Sequence, residues 1–328
     1  MRWRGERQSE NIEDRRGERG GFGFPFPGGG MRFPSGGGGG KSGGGIGLIG
    51  LLIILGLMLF FGVDPSVILQ GGRPGGEVIT FPDVRLPESR PDATNFPAPG
   101  GESGPQIQRP QTTSTDDLKN FVAVVLGSTE DVWQDLLARY GKRYSDPTLV
   151  LFSGATRSAC GTGLAAMGPF YCPLDRKVYI DLDFYKELKN RFKVSGDFAQ
   201  AYVIAHEIGH HVQTLLGITG QVEALKARMG ERQANALQVR MELQADCFAG
   251  VWANRADETR NIVEPGDIDE ALNAASAIGD DRIQRQTQGY VVPDAFTHGS
   301  SDQRVRWFKR GFESGKLEVC DTFNADAL

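Results

Sequence analysis

The feature that most limits what this chain can fold into is an uncharged apolar run, IGLIGLLIILGLMLFFGV, at residues 46–63. At about 1.5 Å per residue, a helix over this run spans roughly 27 Å of hydrocarbon, so it reads as one transmembrane helix. A cleaved signal peptide fits poorly, because such a peptide opens on a short basic head and closes on small residues. Here the run follows 45 residues and is succeeded by Asp64-Pro65. The flanks cannot build a core. Residues 1–45 hold 16 of the chain's 45 Gly and are expected to be a disordered Gly/Arg-rich tail. Residues 64–115 hold 9 of the 17 Pro and read as an extended tether. The 213 residues from Asp116 carry only 18 Gly and 5 Pro, so one globular domain is expected over 116–328, long enough to bury a continuous core.

Charge narrows the partners. The net charge is −5, but residues 1–45 carry eight Lys/Arg against five Asp/Glu, which leaves −8 for the rest. A nucleic-acid binder needs a basic face on its folded domain, and the basic excess here sits in the tail, so nucleic acid is not an expected partner. Six Arg precede Gly20, Arg32 and Lys41 follow, and the next cation beyond the apolar run is Arg73. The positive-inside rule then predicts a single-pass membrane protein with a cytoplasmic N-terminus and an extracytoplasmic domain.

The four cysteines, Cys160, Cys172, Cys247 and Cys320, all fall in the domain. An even count in an oxidising compartment favours two disulfides over free thiols, and no pair has the two-to-four residue spacing of a cysteine zinc site. Cys160 and Cys172 bracket a short Gly-bearing loop that can close locally, which leaves Cys247 to reach Cys320.

Within the domain, apolar residues at helical period predict a helix over 116–140, with Thr115/Asp116 as its cap. TLVLFS at 148–153 and VYIDL at 178–182 predict short strands. Helical patterns follow at 183–192, 197–215, 221–227, 231–256, 267–278 and 302–315. The class is α+β, mostly helical, with a small sheet.

The chemistry is concentrated in HEIGHH, residues 206 to 211, on the 197–215 helix. His206 and His210 stand one turn apart, so both imidazoles project from one face about 6 Å apart and can share an ion, with Glu207 beside it. Accident would produce this pattern about 0.003 times in a chain of this composition, so a polar helix face is the weaker explanation. Zinc is the expected ion: it polarises a bound water and the substrate carbonyl, and Glu207 takes the water's proton. The extended HExxHxxGxxH form is excluded, since Gln213 and Leu216 occupy the positions of its Gly and third His. His211 neighbours His210 and turns away from the ion. The third ligand is sought instead in ELQAD, where Glu242 and Asp246 share a helix face among apolar residues. Glu242 can ligate zinc, and Asp246 can accept the remaining N–H of a zinc-bound His. His298, in a loop that enters a helix, is a candidate to stabilise the oxyanion of the tetrahedral intermediate, or else a helix-entry His bonded to backbone. Tyr202, one turn before His206, is a weaker candidate for that job, the alternative being simple core.

HEIGHHVQ at 206–213, ELQADCFAGVW at 242–252, CG followed by GPFYCPLDRKVYIDL at 160–182 and THGSSDQRVRWFKRGF at 297–312 make the chain resemble the bacterial neutral zinc metallopeptidase family, from the Gly-rich head to the C-terminus. HGSS stands where the family pattern leads one to expect HGTS. The resemblance implies a zincin-like fold, anchorage in the bacterial inner membrane, one catalytic zinc on His206, His210 and Glu242, Glu207 as base, and a peptide or protein as substrate. Two rival functions share these residues: an envelope binding or scaffold protein that keeps zinc without turnover, and a latent peptidase whose site the GPFYC segment occludes. An intramembrane protease is disfavoured, because HEIGH lies about 140 residues beyond the apolar run.

Overall fold

Local sequence fixes where the helices begin. Asp116 and Asp117 in the first turn and Arg139 in the last complement the dipole of α1 (Thr115–Arg139). At the other end of the chain, Ser300 and Gln303 form a reciprocal capping box that starts α8 (Ser301–Ser314). The computed structural model describes residues 1–17 and 115–328. Between those helices run α2 (Phe184–Asn190), α3 (Asp197–Leu215), α4 (Ile218–Lys226), α5 (Glu231–Arg260), α6 (Asp267–Ala277) and α7 (Asp280–Gln288). The α+β, mostly helical class expected from the sequence is the class observed, although the 267–278 pattern proves to be followed by a separate α7 that periodicity did not reveal.

A four-stranded sheet has the order β1-β2-β6-β5. It is built from β1 (Ile12–Asp14), β2 (Thr148–Phe152), β5 (Phe170–Cys172) and β6 (Lys177–Asp181). β1 and β6 lie parallel to β2 on either side, with Ile12 opposite Leu149 and Val150 opposite Tyr179, while β5 runs antiparallel to β6. A separate hairpin pairs β3 (Ala155–Ser158) with β4 (Gly161–Leu164). The core forms where α1, α3 and α5 meet the sheet, and it buries Trp133, Trp252, Phe198 and Phe308 almost completely. The two expected disulfides are present, Cys160–Cys172 and Cys247–Cys320. The first bridges the loop ahead of β4 to β5, and the second staples α5 to the C-terminal segment.

One expectation is corrected. Composition leads one to expect a disordered tail over residues 1–45, yet residues 1–17 pack on the domain. Met1 is buried, its amino group lying 2.9 Å from both Asp197 and Glu264 and 3.2 Å from Asp267. Trp3 meets Phe121 edge to face, and β1 extends the sheet. The composition of a 45-residue window hid this, because the partners lie more than 100 residues away and the strand is only three residues long. The remaining tail, the expected transmembrane helix at 46–63 and the tether up to residue 114 lie outside the described residues. Among the described residues, no helix is long and apolar enough to cross a membrane.

Candidate metal centre

Two helices carry the site, and a glycine sets their distance. On α3, a Cβ at Gly209 would lie 3.0 Å from the backbone of Ala245 on α5. Any larger residue at 209 would push the helices apart. The close approach brings His206 and His210 of α3 against Glu242 of α5: Glu242 Oε2 lies 3.2 Å from His206 Nε2 and 3.4 Å from His210 Nε2. Ligands bound at about 2.0–2.1 Å in tetrahedral geometry are themselves about 3.3 Å apart, so these spacings fit one zinc ion.

The far side of each ligand is also held. His206 Nδ1 donates to Asp246 Oδ1 at 2.8 Å, and His210 Nδ1 donates to Gln213 Oε1 at 2.9 Å. Those bonds fix the tautomers that leave both Nε2 lone pairs pointing at Glu242 Oε2. The other carboxylate oxygen, Oε1, accepts from Gln238 Nε2 at 2.7 Å. Three acceptors that converge in a buried place repel one another unless they share a cation. Electrostatics register the demand. Burial opposes a charge on His206, yet Asp246 and Glu242 outweigh burial and lift its pKa to about 9. His210 is raised in the same sense, with burial opposing and Glu242 prevailing. Burial pushes the carboxyl of Glu242 up, but the two imidazoles hold it well below the ordinary carboxylate value. Donor chemistry, spacing and orientation all fit zinc.

Asp246 is itself anchored. Arg304 on α8 reaches it from Nε and Nη2, and the hydroxyl of Tyr202 donates to it at 2.5 Å. Tyr202 is fully buried with its hydroxyl committed there, so it is core and a brace for Asp246. His211 faces elsewhere, as the helix geometry required: its ring nitrogens meet Ser145 O at 2.6 Å and the Tyr171 hydroxyl at 3.0 Å. Burial, opposed by the Ser145 carbonyl, lowers its pKa to about 4.

Glu207 lies beside the histidines in a cleft of about 460 Å³ that also holds His298. Among the described residues, no protein group hydrogen-bonds the Glu207 carboxylate. His298 Nδ1 is 3.2 Å from Asp280 Oδ1, while Asp280 Oδ2 accepts the backbone N–H groups of Thr297, His298 and Gly299. The Thr297 hydroxyl also lies 3.0 Å from Nδ1, so the ring is oriented by a carboxylate and a hydroxyl and lines the cleft, rather than being spent on backbone. Met167, Phe170, Phe184 and Phe192 form an apolar wall, and Gly168, Pro169, Phe170 and Tyr171 of GPFYC line the cleft beside the histidines.

Sequence reasoning missed three residues here. Arg304 lies in the 297–312 motif with no role that spacing reveals, Gln213 in sequence only excludes the extended HExxH form, and Asp280 carries no signal. Gln213 had a legible one. A polar residue three positions after His210 on an apolar helix can reach its outward nitrogen.

The chain belongs to the family described as "Putative neutral zinc metallopeptidase", which it matches over residues 1–323. It is 46% identical over 323 residues to the uncharacterized protein YpfJ of Escherichia coli, covering 98% of this chain and 99% of that one. An uncharacterized protein of Mycobacterium tuberculosis is 41% identical over 274 residues, 79% of this chain and 86% of that protein. No solved structure matches.

Proposed function

We propose that the protein hydrolyses peptide bonds as a zinc peptidase, with His206, His210 and Glu242 holding the metal and Glu207 acting as general base. The observation that carries this reading is the convergence of two imidazole nitrogens and one carboxylate oxygen beside a second carboxylate that stands free in a cleft. Zinc, when bound, supplies a Lewis acid that polarises the scissile carbonyl and acidifies water. Glu207 takes the proton of the attacking water and passes it to the departing amine. Burial opposes a charge on His298, yet Asp280 and Glu242 raise its pKa, and it donates as the imidazolium from Nε2 to the oxygen on which negative charge develops. The apolar wall of Met167, Phe170, Phe184 and Phe192 receives an apolar substrate side chain. The two disulfides support an oxidising, extracytoplasmic location for the domain.

A zinc-bearing scaffold without turnover needs neither a free Glu207 nor a cleft beside the metal. The test is a broad peptide-library digest by the purified full-length chain, with and without a chelator, alongside Glu207→Gln. We expect zinc-dependent cleavage that Glu207→Gln lowers by about 10²-fold or more while zinc stays near one equivalent. A zinc-loaded wild-type chain that cuts no peptide in the library would sink the reading.

A further inference from the structure

We propose that residues 1–17 are an integral part of the domain and lie on the same side of any membrane as the metal centre, so the apolar run at 46–63 does not place a bilayer between them. The inference is independent of what the site catalyses. Its ground is that both partners of the contact are built for it.

From the domain's side, the signs are Glu130 and Gly127, both on α1. Glu130 is a buried carboxylate, and the three side chains that bond it all come from the N-terminal segment. Arg7 Nη2 lies 2.9 Å from Oε2, and Ser9 Oγ and Asn11 Nδ2 lie 2.5 and 2.8 Å from Oε1. A carboxylate taken from water needs such partners, and the segment that covers Glu130 is the one that supplies all three. Gly127 interrupts the middle of a long helix, where glycine is unfavourable. Its reason is the segment: a Cβ there would stand 2.9 Å from Arg7 O and 3.1 Å from Ser9 N. Arg7 also donates to Gly127 O at 2.7 Å, and Ser9 N–H donates to Ala123 O at 2.9 Å.

From the segment's side, β1 satisfies main-chain groups of β2. Leu149 N–H donates to Asn11 O at 2.8 Å and Arg15 N–H donates to Leu151 O at 2.7 Å. Glu13 pairs with Lys177 of β6 at 2.7 Å, and Asp14 with Lys119 of α1 at 3.1 Å. These contacts fall on three separate elements of the domain. A strand hydrogen-bonded into a sheet cannot have the other strands across a bilayer. The expected arrangement, with a cytoplasmic tail and an extracytoplasmic domain on opposite sides of a single crossing, therefore conflicts with the docked segment.

The test uses the full-length chain in cells. All four native cysteines are in disulfides. Single cysteines are therefore introduced at two exposed positions, Gln8→Cys in the segment and Lys142→Cys in the domain. Each is probed with a membrane-impermeant maleimide on intact and on permeabilised spheroplasts. We expect both positions to behave alike, either both reacting in intact spheroplasts or both only after permeabilisation. Reaction of one position with the other protected overturns the proposal. Hydrogen exchange on the purified, unmodified full-length chain is the second measurement. Amides of residues 12–15 should exchange at least tenfold more slowly than in an unfolded chain, and exchange at the unfolded rate overturns the docking itself.

Discussion

Arg304 grips Asp246 with two hydrogen bonds of 2.9 Å, Nε to Oδ2 and Nη2 to Oδ1, in a place where neither side chain reaches solvent. The pair ties α8 to α5 and, through Asp246, fixes the ring of His206. Burial works against the charge of Asp246, but Arg304 and His206 hold its pKa down to about 2. The metal centre thus rests on an ion pair that lies outside HEIGHH itself and joins the ELQAD helix to the 297–312 segment.

Breaking one half of a buried pair leaves the other half charged and unpaired, which costs about 3–5 kcal/mol. Arg304→Met should therefore lower the urea midpoint steeply. Arg304→Lys, which keeps the charge but not the two-pronged geometry, should fall between it and wild type. A wild-type midpoint for Arg304→Met would show that Tyr202 and His206 suffice to hold Asp246.

Gln213 offers a cleaner probe of the metal, because it touches His210 without being a ligand. Its amide also donates to Met241 O and Gln244 Oε1, at 2.8 and 3.1 Å. Gln213→Ala removes the acceptor that orients His210, and partners of this kind are worth about 10–100-fold in metal affinity. Zinc competition titration should show a loss in that range with one zinc still bound at saturation. Unchanged affinity would mean that the Nδ1 contact does not orient the ligand.

The HExxH pair, Glu242 and Asp246 were legible because helical spacing alone places them on shared faces. Both disulfide pairings followed from one short loop and the leftover cysteines. What could not be read was non-local. β1 is three residues whose partners are β2, β6 and α1, β3 and β5 are only four and three residues long, and β4 is GTGL, so none of them alternates convincingly. Arg304 and Asp280 act through groups 58 and 18 residues away, in contacts that no local period encodes.

The staple between Cys247 and Cys320 spans 73 residues and joins the metal-bearing helix to the C-terminal segment. Closing a loop of that size is worth about 4 kcal/mol in the chain-entropy account, against about 3 kcal/mol for the 12-residue Cys160–Cys172 loop. Cys247→Ala/Cys320→Ala should therefore cost more stability than Cys160→Ala/Cys172→Ala in matched chemical denaturation. Equal losses would point to native-state packing as the larger effect.

Gly209 bears on whether the site depends on helix approach or merely on having the ligands. Its missing side chain lets α3 lie against Ala245, and His206 and Glu242 are brought within 3.2 Å as a result. Gly209→Ala adds one methyl group, which the contact at 3.0 Å to Ala245 backbone resists, and backbone yields less readily than a flexible side chain. Replacing helical glycine by alanine favours the isolated helix by about 1 kcal/mol, so a gain in stability is the outcome if no clash matters. We expect the opposite sign: overpacking of this kind costs about 1–3 kcal/mol, and any separation of the helices lengthens the distance from Glu242 to both histidines. Zinc affinity and thermal stability measured together distinguish the cases. A loss of both supports a site assembled by helix approach. A stabilised variant with wild-type zinc affinity would mean that the two helices can part slightly without the ligands noticing.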